Sequence, residues 1–185
     1  MDQPLRKSFD ELRSKDRALQ YEAFQHVLQV TDRPVDWSYE VWDEMIAMLS
    51  SKDNHERAIA AQVLCNLARS DPQESMLKDL PALLRLTKDE RFVTARHCMQ
   101  ALWKLGVAGK KQRVTLTRGL ERRFQECSRE KNRTLIRYDI EQSLRSVYDG
   151  TQDETVRAKA LELIETESDL KYRKKYSTLW SRKIT

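Results

Sequence analysis

The chain of 185 residues carries a net charge of +5 and 34% charged residues, but only four glycines and four prolines. This shortage of turn-forming residues argues against a sheet protein, which needs many tight turns, and predicts an all-α fold. No stretch approaches the roughly 20 apolar residues of a membrane span, and the N-terminal segment lacks the apolar core of a signal peptide, so we expect a soluble protein without membrane contact.

The predicted elements begin with a repeated helix start. The segments at residues 14–16, 51–53 and 87–89 read Ser-Lys-Asp or Thr-Lys-Asp, and they are spaced by 37 and then 36 residues. An Asp just before the first helical turn accepts hydrogen bonds from free backbone N–H groups and meets the positive end of the helix dipole. Each segment therefore predicts a capped helix start.

An apolar pattern follows these helix starts. The first residue of each copy is followed by a large apolar residue four positions later and, in all copies but the last, by another seven positions later. These positions lie on one face of an α-helix and form an apolar stripe. The copies, some of them shifted by a few residues, are Ala23, Val27 and Val30; Ala60, Leu64 and Leu67; Cys98, Leu102 and Leu105; Ile140, Leu144 and Val147; and Ala160 and Ile164. Further stripes stand between them, such as Leu5, Phe9 and Leu12, or Val114, Leu116, Leu120 and Phe124. We therefore expect two helices in each repeat.

One copy carries a family resemblance. Residues 153–164 read Asp-Glu-Thr-Val-Arg-Ala-Lys-Ala-Leu-Glu-Leu-Ile and resemble the second helix of a HEAT repeat. In this copy and at Asp53, an Arg follows four residues after the Asp, where it can reach the Asp of its own or of a stacked repeat. The resemblance implies a right-handed α-α superhelix, a HEAT/ARM-like solenoid of about 9–10 antiparallel helices. It also implies one domain over residues 1–185, with regular repeats at about 5–109 and an irregular C-terminal repeat and cap at about 110–185.

A row of glutamines marks the predicted binding surface. Solenoids of this kind bind partners mostly on the concave surface that their second helices line. Gln25, Gln62, Gln100 and Gln142 each stand two positions before a core residue of a second helix. Two interpretations stay open, since the amides can form a ladder between stacked repeats or face a ligand. The predicted groove residues are Gln25, Gln62, Arg69, Arg96, Gln100, Lys104, Tyr138, Gln142 and Arg145.

The C-terminal half is basic. Residues 1–109 hold 15 basic and 17 acidic residues, whereas residues 110–185 hold 19 and 12. This excess permits contact with nucleic acid, and Arg118, Arg122 and Arg123 form a candidate basic patch, although interleaved glutamates also fit a solvated helix. The tail from Lys171 onward mixes basic and aromatic residues and ends with Arg182 and Lys183. We interpret it as a terminal cap helix, with nucleic-acid contact as the alternative.

The sequence carries no recognisable catalytic motif. It has no P-loop, GxGxxG, GxSxG or HExxH, and its three histidines and three cysteines stand apart, so we predict no catalytic residue, metal site, disulfide or cofactor. We expect a monomeric, cytoplasmic, non-catalytic scaffold whose concave surface binds a protein. The alternatives are a DNA-binding HEAT-like protein and a glycosylase of the DNA-alkylation-repair type, a family also built from HEAT-like repeats with Trp, Asp and Arg in a basic groove. This sequence has Trp42 and Trp103, but no set of its Trp, Asp and Arg residues matches that family's motif positions, so the glycosylase alternative rests on fold analogy alone.

Overall fold

A computed structural model describes residues 1–181 of the chain. These residues form eleven α-helices and two short 3-10 turns, and they contain no β-strand. The all-α prediction is therefore confirmed, with more helices than the nine or ten expected. One reason is that the predicted stripe of Cys98, Leu102 and Leu105 is divided, because one helix ends at Ala101 and the next begins at Trp103.

The described chain falls into two compact units. The first unit spans Met1–Ala101, and the second begins at Leu102. The helices of the first unit are α1 (Gln3–Glu11), α2 (Arg17–Thr31), α3 (Tyr39–Met48), α4 (Asn54–Leu67), α5 (Ser75–Leu86) and α6 (Phe92–Ala101), with a 3-10 turn at Ala68–Ser70. They pack as three pairs, α1 with α2, α3 with α4, and α5 with α6. We call α2, α4 and α6 the second helices; α4 contacts both of the others.

The predicted Asp caps start the second helices. The Asp16 carboxylate accepts hydrogen bonds from the first turn of α2, and the Asp53 carboxylate accepts one from the His55 N–H at 2.8 Å. Asp89 accepts from the Arg91 N–H, also at 2.8 Å, just before α6 begins. Each carboxylate thus satisfies backbone donors that have no partner inside the helix.

Ion pairs connect the starts of neighbouring second helices. Arg17 Nη2 of α2 lies 2.6 Å from Asp53 Oδ2, and the Arg57 guanidinium of α4 donates to both oxygens of Asp89 at 2.6 and 2.8 Å. Of the two partners expected for Arg57, the Asp of its own helix start and that of another, the structure shows the second, Asp89. Because each pair joins one helix start to the next, the three second helices run in the same direction, side by side.

The core of the first unit lies between the paired helices. Fully buried side chains fill it, including Phe9, Leu12, Val27 and Leu64 of the predicted stripes, together with Met45, Met76, Leu80, Leu83 and Met99. Most predicted stripe residues of this unit are buried, but Val30 is only half-buried. Burial of this apolar surface is the main stabilising contribution to such helix pairs.

The second unit is organised around one long helix. Its helices are α7 (Trp103–Ala108), α8 (Lys110–Glu126), α9 (Arg133–Thr151), α10 (Glu154–Glu165) and α11 (Leu170–Ser181), with a 3-10 turn at Cys127–Arg129. α9 contacts each of the other four helices. Leu116, Leu120 and Phe124 are buried as predicted, but Val114 is 41% exposed and does not belong to the core.

The second unit repeats the cap and the ion pair. Asp153 caps α10 by accepting from the Thr155 N–H, and it accepts from Arg113 Nε at 2.8 Å. Arg157, predicted to reach an Asp, instead pairs with Glu154 at 3.1 Å. The Asp153 carboxylate already accepts a hydrogen bond from Arg113 of α8.

No helix in residues 1–181 combines the length and the apolar character required to cross a bilayer.

Candidate partner-binding groove

An open groove lies over the second helices of the first unit. Its volume is about 560 Å³, within the range of ligand-binding clefts. All three second helices contribute to it. The lining residues are Arg17, Gln20, Tyr21, Phe24, Gln25 and Leu28 of α2, Asn54, His55, Ala58, Ile59 and Gln62 of α4, and Val93, Thr94 and His97 of α6.

The lining carries an exposed apolar surface. Tyr21 and Val93 are each 63% exposed, and Phe24 and Leu28 are half-buried. Ala58 of α4 lies beneath them and is almost fully buried. Exposed apolar side chains that gather along one groove mark a site where another surface is buried.

The polar part of the lining includes an arginine that is already paired with a carboxylate. Within the part of the chain that the structure describes, the lining includes Arg17, His55 and His97 but no Asp or Glu. Arg17 is held by Asp53 and also donates to Gln20 Oε1 at 2.7 Å. Asn54 and His55 begin α4, so that the positive end of this helix dipole lies at the groove.

The predicted glutamine row is only partly gathered at this groove. Gln25 is exposed and Gln62 is half-buried, and both line it. Gln62 Nε2 donates to the Ala58 carbonyl of its own helix at 3.1 Å, so this bond is not a rung of an amide ladder between repeats. Gln100 on α6 and Gln142 on α9 of the second unit are exposed.

Two other predicted residues of the first unit lie elsewhere. Arg69 is exposed in the 3-10 turn that follows α4. The Arg96 guanidinium lies over the Phe92 ring, 5.9 Å from its centroid. Sequence spacing placed both on the same helices as the groove, but it does not fix the direction of each side chain.

The candidates in the second unit make structural contacts. Lys104 Nζ lies 5.8 Å from the Trp103 ring centroid, and Lys175 Nζ lies 4.7 Å from that of Tyr138. Arg145 donates to Asp149 Oδ1 at 2.6 Å and to the Leu179 carbonyl. Arg145 therefore ties α9 to α11, a role that the sequence did not indicate.

The candidate basic patch does not form as one surface. Arg118 and Arg122 are exposed on α8, and Arg122 pairs with Glu126 at 2.7 Å. Arg123 is only 3% exposed, and its guanidinium bonds both carboxylate oxygens of Glu130, at 2.6 and 2.8 Å. Arg123 cannot serve as a surface cation in this arrangement, because it points into the unit.

The aromatic tail packs as the predicted cap helix. Tyr176 of α11 is fully buried and donates its hydroxyl to the Thr134 carbonyl at 2.9 Å. Trp180 donates its indole N–H to Glu141 Oε2 at 3.0 Å. Arg182 and Lys183, which belong to the predicted tail, lie outside the described residues.

Sequence reasoning missed the buried carboxyl group of Glu141. This α9 residue has no exposed surface, and its Oε1 atom has no hydrogen-bond partner among the described residues. Burial raises the pKa of Glu141 to about 8, and the hydrogen bond from Trp180 offsets this only in part. A glutamate beside the apolar Ile140 carries no sequence signal that separates it from the exposed glutamates nearby.

The cysteines are packing residues. Cys65, Cys98 and Cys127 are thiols, and all three are buried. Burial raises the pKa of Cys98 and of Cys127, which disfavours the reactive thiolate form. Among residues 1–181, no group of three or more His, Cys, Asp or Glu side chains is arranged to hold a metal ion.

Comparisons with known proteins give information about the fold but not about the function. No family model matches the chain, and no curated protein is significantly similar to it. Three crystal structures of engineered proteins from the Northeast Structural Genomics Consortium are similar to it. The first has 19% identity and a TM-score of 0.58 over 97% of this chain and 78% of the engineered chain.

The other two engineered proteins give similar values. One has 18% identity and a TM-score of 0.54 over 97% of this chain, which spans only 47% of that engineered protein. The other has 16% identity and a TM-score of 0.54 over 98% of this chain and 88% of the engineered chain. At these identities the likeness supports an all-helical fold alone.

Proposed function

We propose that this chain is a HEAT-like helical-repeat protein that binds a partner protein in the groove over α2, α4 and α6. In this proposal the helix pairs are repeats of a right-handed solenoid, and the chain acts as a non-catalytic cytoplasmic scaffold. Two features support the repeat assignment. The second helices start at equivalent Asp residues, and the Arg17–Asp53 and Arg57–Asp89 pairs join them at equivalent places.

The observation that carries the binding proposal is the exposure of Tyr21 and Val93 on opposite sides of α4. Each is 63% exposed, and Phe24 and Leu28, which stand on the same helix as Tyr21 and also line the groove, are half-buried. Tyrosine is enriched among the residues that dominate protein interfaces, because its large ring buries much apolar surface at a small entropic cost. A partner that covers this groove would remove both side chains from water.

The test is affinity capture with a matched control. The variant Tyr21→Ser with Val93→Ser removes the apolar lining, whereas Val114→Ser with Leu170→Ser removes exposed apolar residues of the second unit. Captured proteins are quantified for both variants and for the parent chain. We expect at least one protein that the control retains at the parent level and that the groove variant loses. Equal capture by both variants would contradict the proposal.

The nucleic-acid alternatives receive less support. Arg123 of the predicted basic patch is buried against Glu130, and Arg122 is paired with Glu126. Trp42, one of the tryptophans named for a glycosylase groove, is almost fully buried and donates to Asp79 Oδ2 at 2.9 Å. We therefore place the function in the groove of the first unit.

A further inference from the structure

One face of α9 is covered by α11. The residues of this face recur every three or four positions, which places them on one side of the helix, and they are Thr134, Tyr138, Glu141, Arg145 and Tyr148. Tyr176 of α11 donates its hydroxyl to the Thr134 carbonyl, and its ring centroid lies 6.4 Å from that of Tyr138. Trp180 donates to Glu141 and packs 5.9 Å from the Tyr148 ring, while Arg145 donates to the Leu179 carbonyl. Glu141 therefore lies in the middle of the surface between α9 and α11.

This surface is more polar than the face that α9 turns to the core of the second unit. The core face carries buried aliphatic side chains, which are Ile136, Ile140, Leu144 and Val147. Every side chain of the face under α11 has polar atoms instead, and within α11 itself only Tyr176 is fully buried. Burial of apolar surface provides most of the stability of packed helices. We therefore expect α11 to open at a lower cost in free energy than the helices that form the core.

The carboxyl group of Glu141 fits this surface only in its neutral form. The residue has no exposed surface, and its Oε1 atom has no hydrogen-bond partner among the described residues. A buried carboxylate without a cation is strongly unfavourable, so the group holds its proton instead. Burial and the single hydrogen bond from Trp180 account for the pKa of about 8. α11 thus packs on a protonated Glu141.

The cations around this surface have other partners. On α9, Arg145 pairs with Asp149 at 2.6 Å, and Arg137 pairs with Glu167 at 2.7 Å. Cations on the helices packed against α9 also contact other groups: Lys175 of α11 the Tyr138 ring, Lys159 of α10 the carboxylates of Glu121 and Glu162, Arg113 of α8 the Asp153 carboxylate, and Lys104 of α7 the Trp103 ring. Lys171 and Lys174 of α11 are exposed to solvent. Within the described part of the chain, no charged group contributes to the pKa of Glu141.

We infer that α11 is a pH-sensitive strap, which protonated Glu141 holds on α9 and whose release is favoured when Glu141 loses its proton, while the other helices of the second unit stay packed. Once α11 moves away, water solvates the carboxyl group, and its pKa returns toward the ordinary value of 4.5. The packed state binds the proton more tightly, so packing of the strap is strongest below this ordinary value. It weakens by about tenfold for each pH unit above that value, and the weakening ends at about pH 8. This inference is independent of the groove in the first unit.

The experiment is amide hydrogen exchange of the whole chain at about pH 6 and about pH 8, with each rate divided by the intrinsic rate at that pH. A released α11 is a helix of 12 residues, which is too short to persist in water, so its amides lose protection whenever the strap opens. We expect this protection to fall by about a hundredfold between the two pH values. Low concentrations of urea should accelerate exchange in α9 but have little effect on α11, because local opening exposes little surface.

Two variants test the role of the carboxyl group. Glu141→Gln keeps an acceptor for Trp180 but cannot ionise, so protection of α11 should be the same at both pH values. Glu162→Gln is the matched control, since Glu162 is an exposed carboxylate on α10 that pairs with Lys159. This variant should keep the hundredfold fall of the parent chain.

Three results would overturn the inference. A fall in α11 protection that persists in Glu141→Gln would show that another group causes it. Constant α11 protection in the parent chain would show that the Glu141 proton is not coupled to packing of α11. Equal protection and equal urea dependence in α9 and α11 would show that the unit opens only as a whole. None of these results bears on the groove in the first unit, which affinity capture tests separately.

Discussion

Arg57 of α4 and Asp89 before α6 form a two-point ion pair that is nearly closed to solvent. Their hydrogen bonds measure 2.6 and 2.8 Å, and Arg57 also donates to the Ser51 carbonyl at 2.9 Å. This contact joins the second and third helix pairs of the first unit at the end where their second helices start. The pair therefore connects two of the three helices that line the groove.

Loss of one partner of this pair should destabilise the first unit. We predict that Arg57→Ala lowers the free energy of unfolding by about 3 kcal/mol, because it leaves the Asp89 carboxylate buried without its cation. The matched change Arg17→Ala removes an exposed pair and should cost below about 1 kcal/mol. Urea denaturation of both variants measures the difference. Equal losses in the free energy of unfolding would show that burial does not determine how much each pair contributes to stability.

The same ion pair makes the free energy of unfolding depend on pH in acidic solution. Burial acts to raise the pKa of Asp89, but hydrogen bonds from Arg57 and the Arg91 N–H outweigh it, and the pKa lies below the ordinary value of 3.8. A carboxyl with a lowered pKa stabilises the fold above its unfolded pKa, and this contribution is lost as the pH falls through the folded pKa. Asp89→Asn should therefore flatten the loss of stability below about pH 4, as measured by denaturation against pH. A profile of stability against pH that is the same for Asp89→Asn and the parent chain would contradict this contribution of Asp89.

Much of this architecture could be predicted from the sequence. The Asp caps and most of the apolar stripes follow local rules, because caps and stripes depend on residues a few positions apart. The position of the groove also agrees with the expected second helices, and Gln25 and Gln62 do line it.

Other features depend on tertiary packing and could not be predicted. Arg123 and Arg122 are adjacent in a basic run, yet only the structure shows that Arg123 turns inward to Glu130. Tyr21 was expected near the groove as part of a polar surface, but Phe24 and Val93 were not predicted, because the spacing along one helix does not show which side chains of α2 and α6 meet at one groove. Glu141 was missed for a different reason, since a buried carboxyl contradicts the usual burial preference of its residue type.

The orientation of Arg123 leads to a further prediction. Arg123→Glu should lower the free energy of unfolding by more than about 3 kcal/mol, because it buries a second carboxylate beside Glu130. Arg118→Glu on the exposed face of the same helix should change it by less than about 0.5 kcal/mol. Thermal or urea denaturation compares the two. Similar small effects would mean that Arg123 is a surface residue after all.

Glu141 makes the stability of the second unit depend on pH in the direction opposite to that of Asp89. Its folded pKa of about 8 lies above the ordinary value of 4.5, so the folded state holds a proton that the unfolded state has lost. Stability therefore falls by about 1.4 kcal/mol per pH unit as the pH rises between these values. Glu141→Gln keeps an oxygen that accepts from Trp180 and has no charge. It should remove this slope.

The Glu141 prediction is tested by urea denaturation between about pH 5 and about pH 9. We expect the parent chain to lose stability across this range while Glu141→Gln does not, so that the variant is the more stable protein at the alkaline end. Trp180→Phe provides the control for the hydrogen bond, because it leaves the carboxyl group in place. Parallel profiles for the parent chain and Glu141→Gln would rule out a buried, protonated Glu141.

Gly106 allows a close approach between two helices of the second unit. A Cβ atom at this position would lie 2.5 Å from Val147 Cγ2 of α9. Gly106→Ala should therefore destabilise the unit by about 1–3 kcal/mol through overpacking. The double variant with Val147→Ala should lose less than the sum of the two single changes, because the smaller side chain makes room. Additive losses in a double-mutant cycle would contradict the contact.

The central claim, that a partner protein occupies the groove over α2, α4 and α6, is tested most directly by site-specific photo-crosslinking. A photoreactive phenylalanine analogue replaces Tyr21 at the groove or, as a control, Leu170, which is 73% exposed on the second unit. The account predicts a crosslinked protein from the Tyr21 position that is absent from the Leu170 position and disappears with Val93→Ser. The same crosslinked proteins from both positions, unaffected by Val93→Ser, would contradict it.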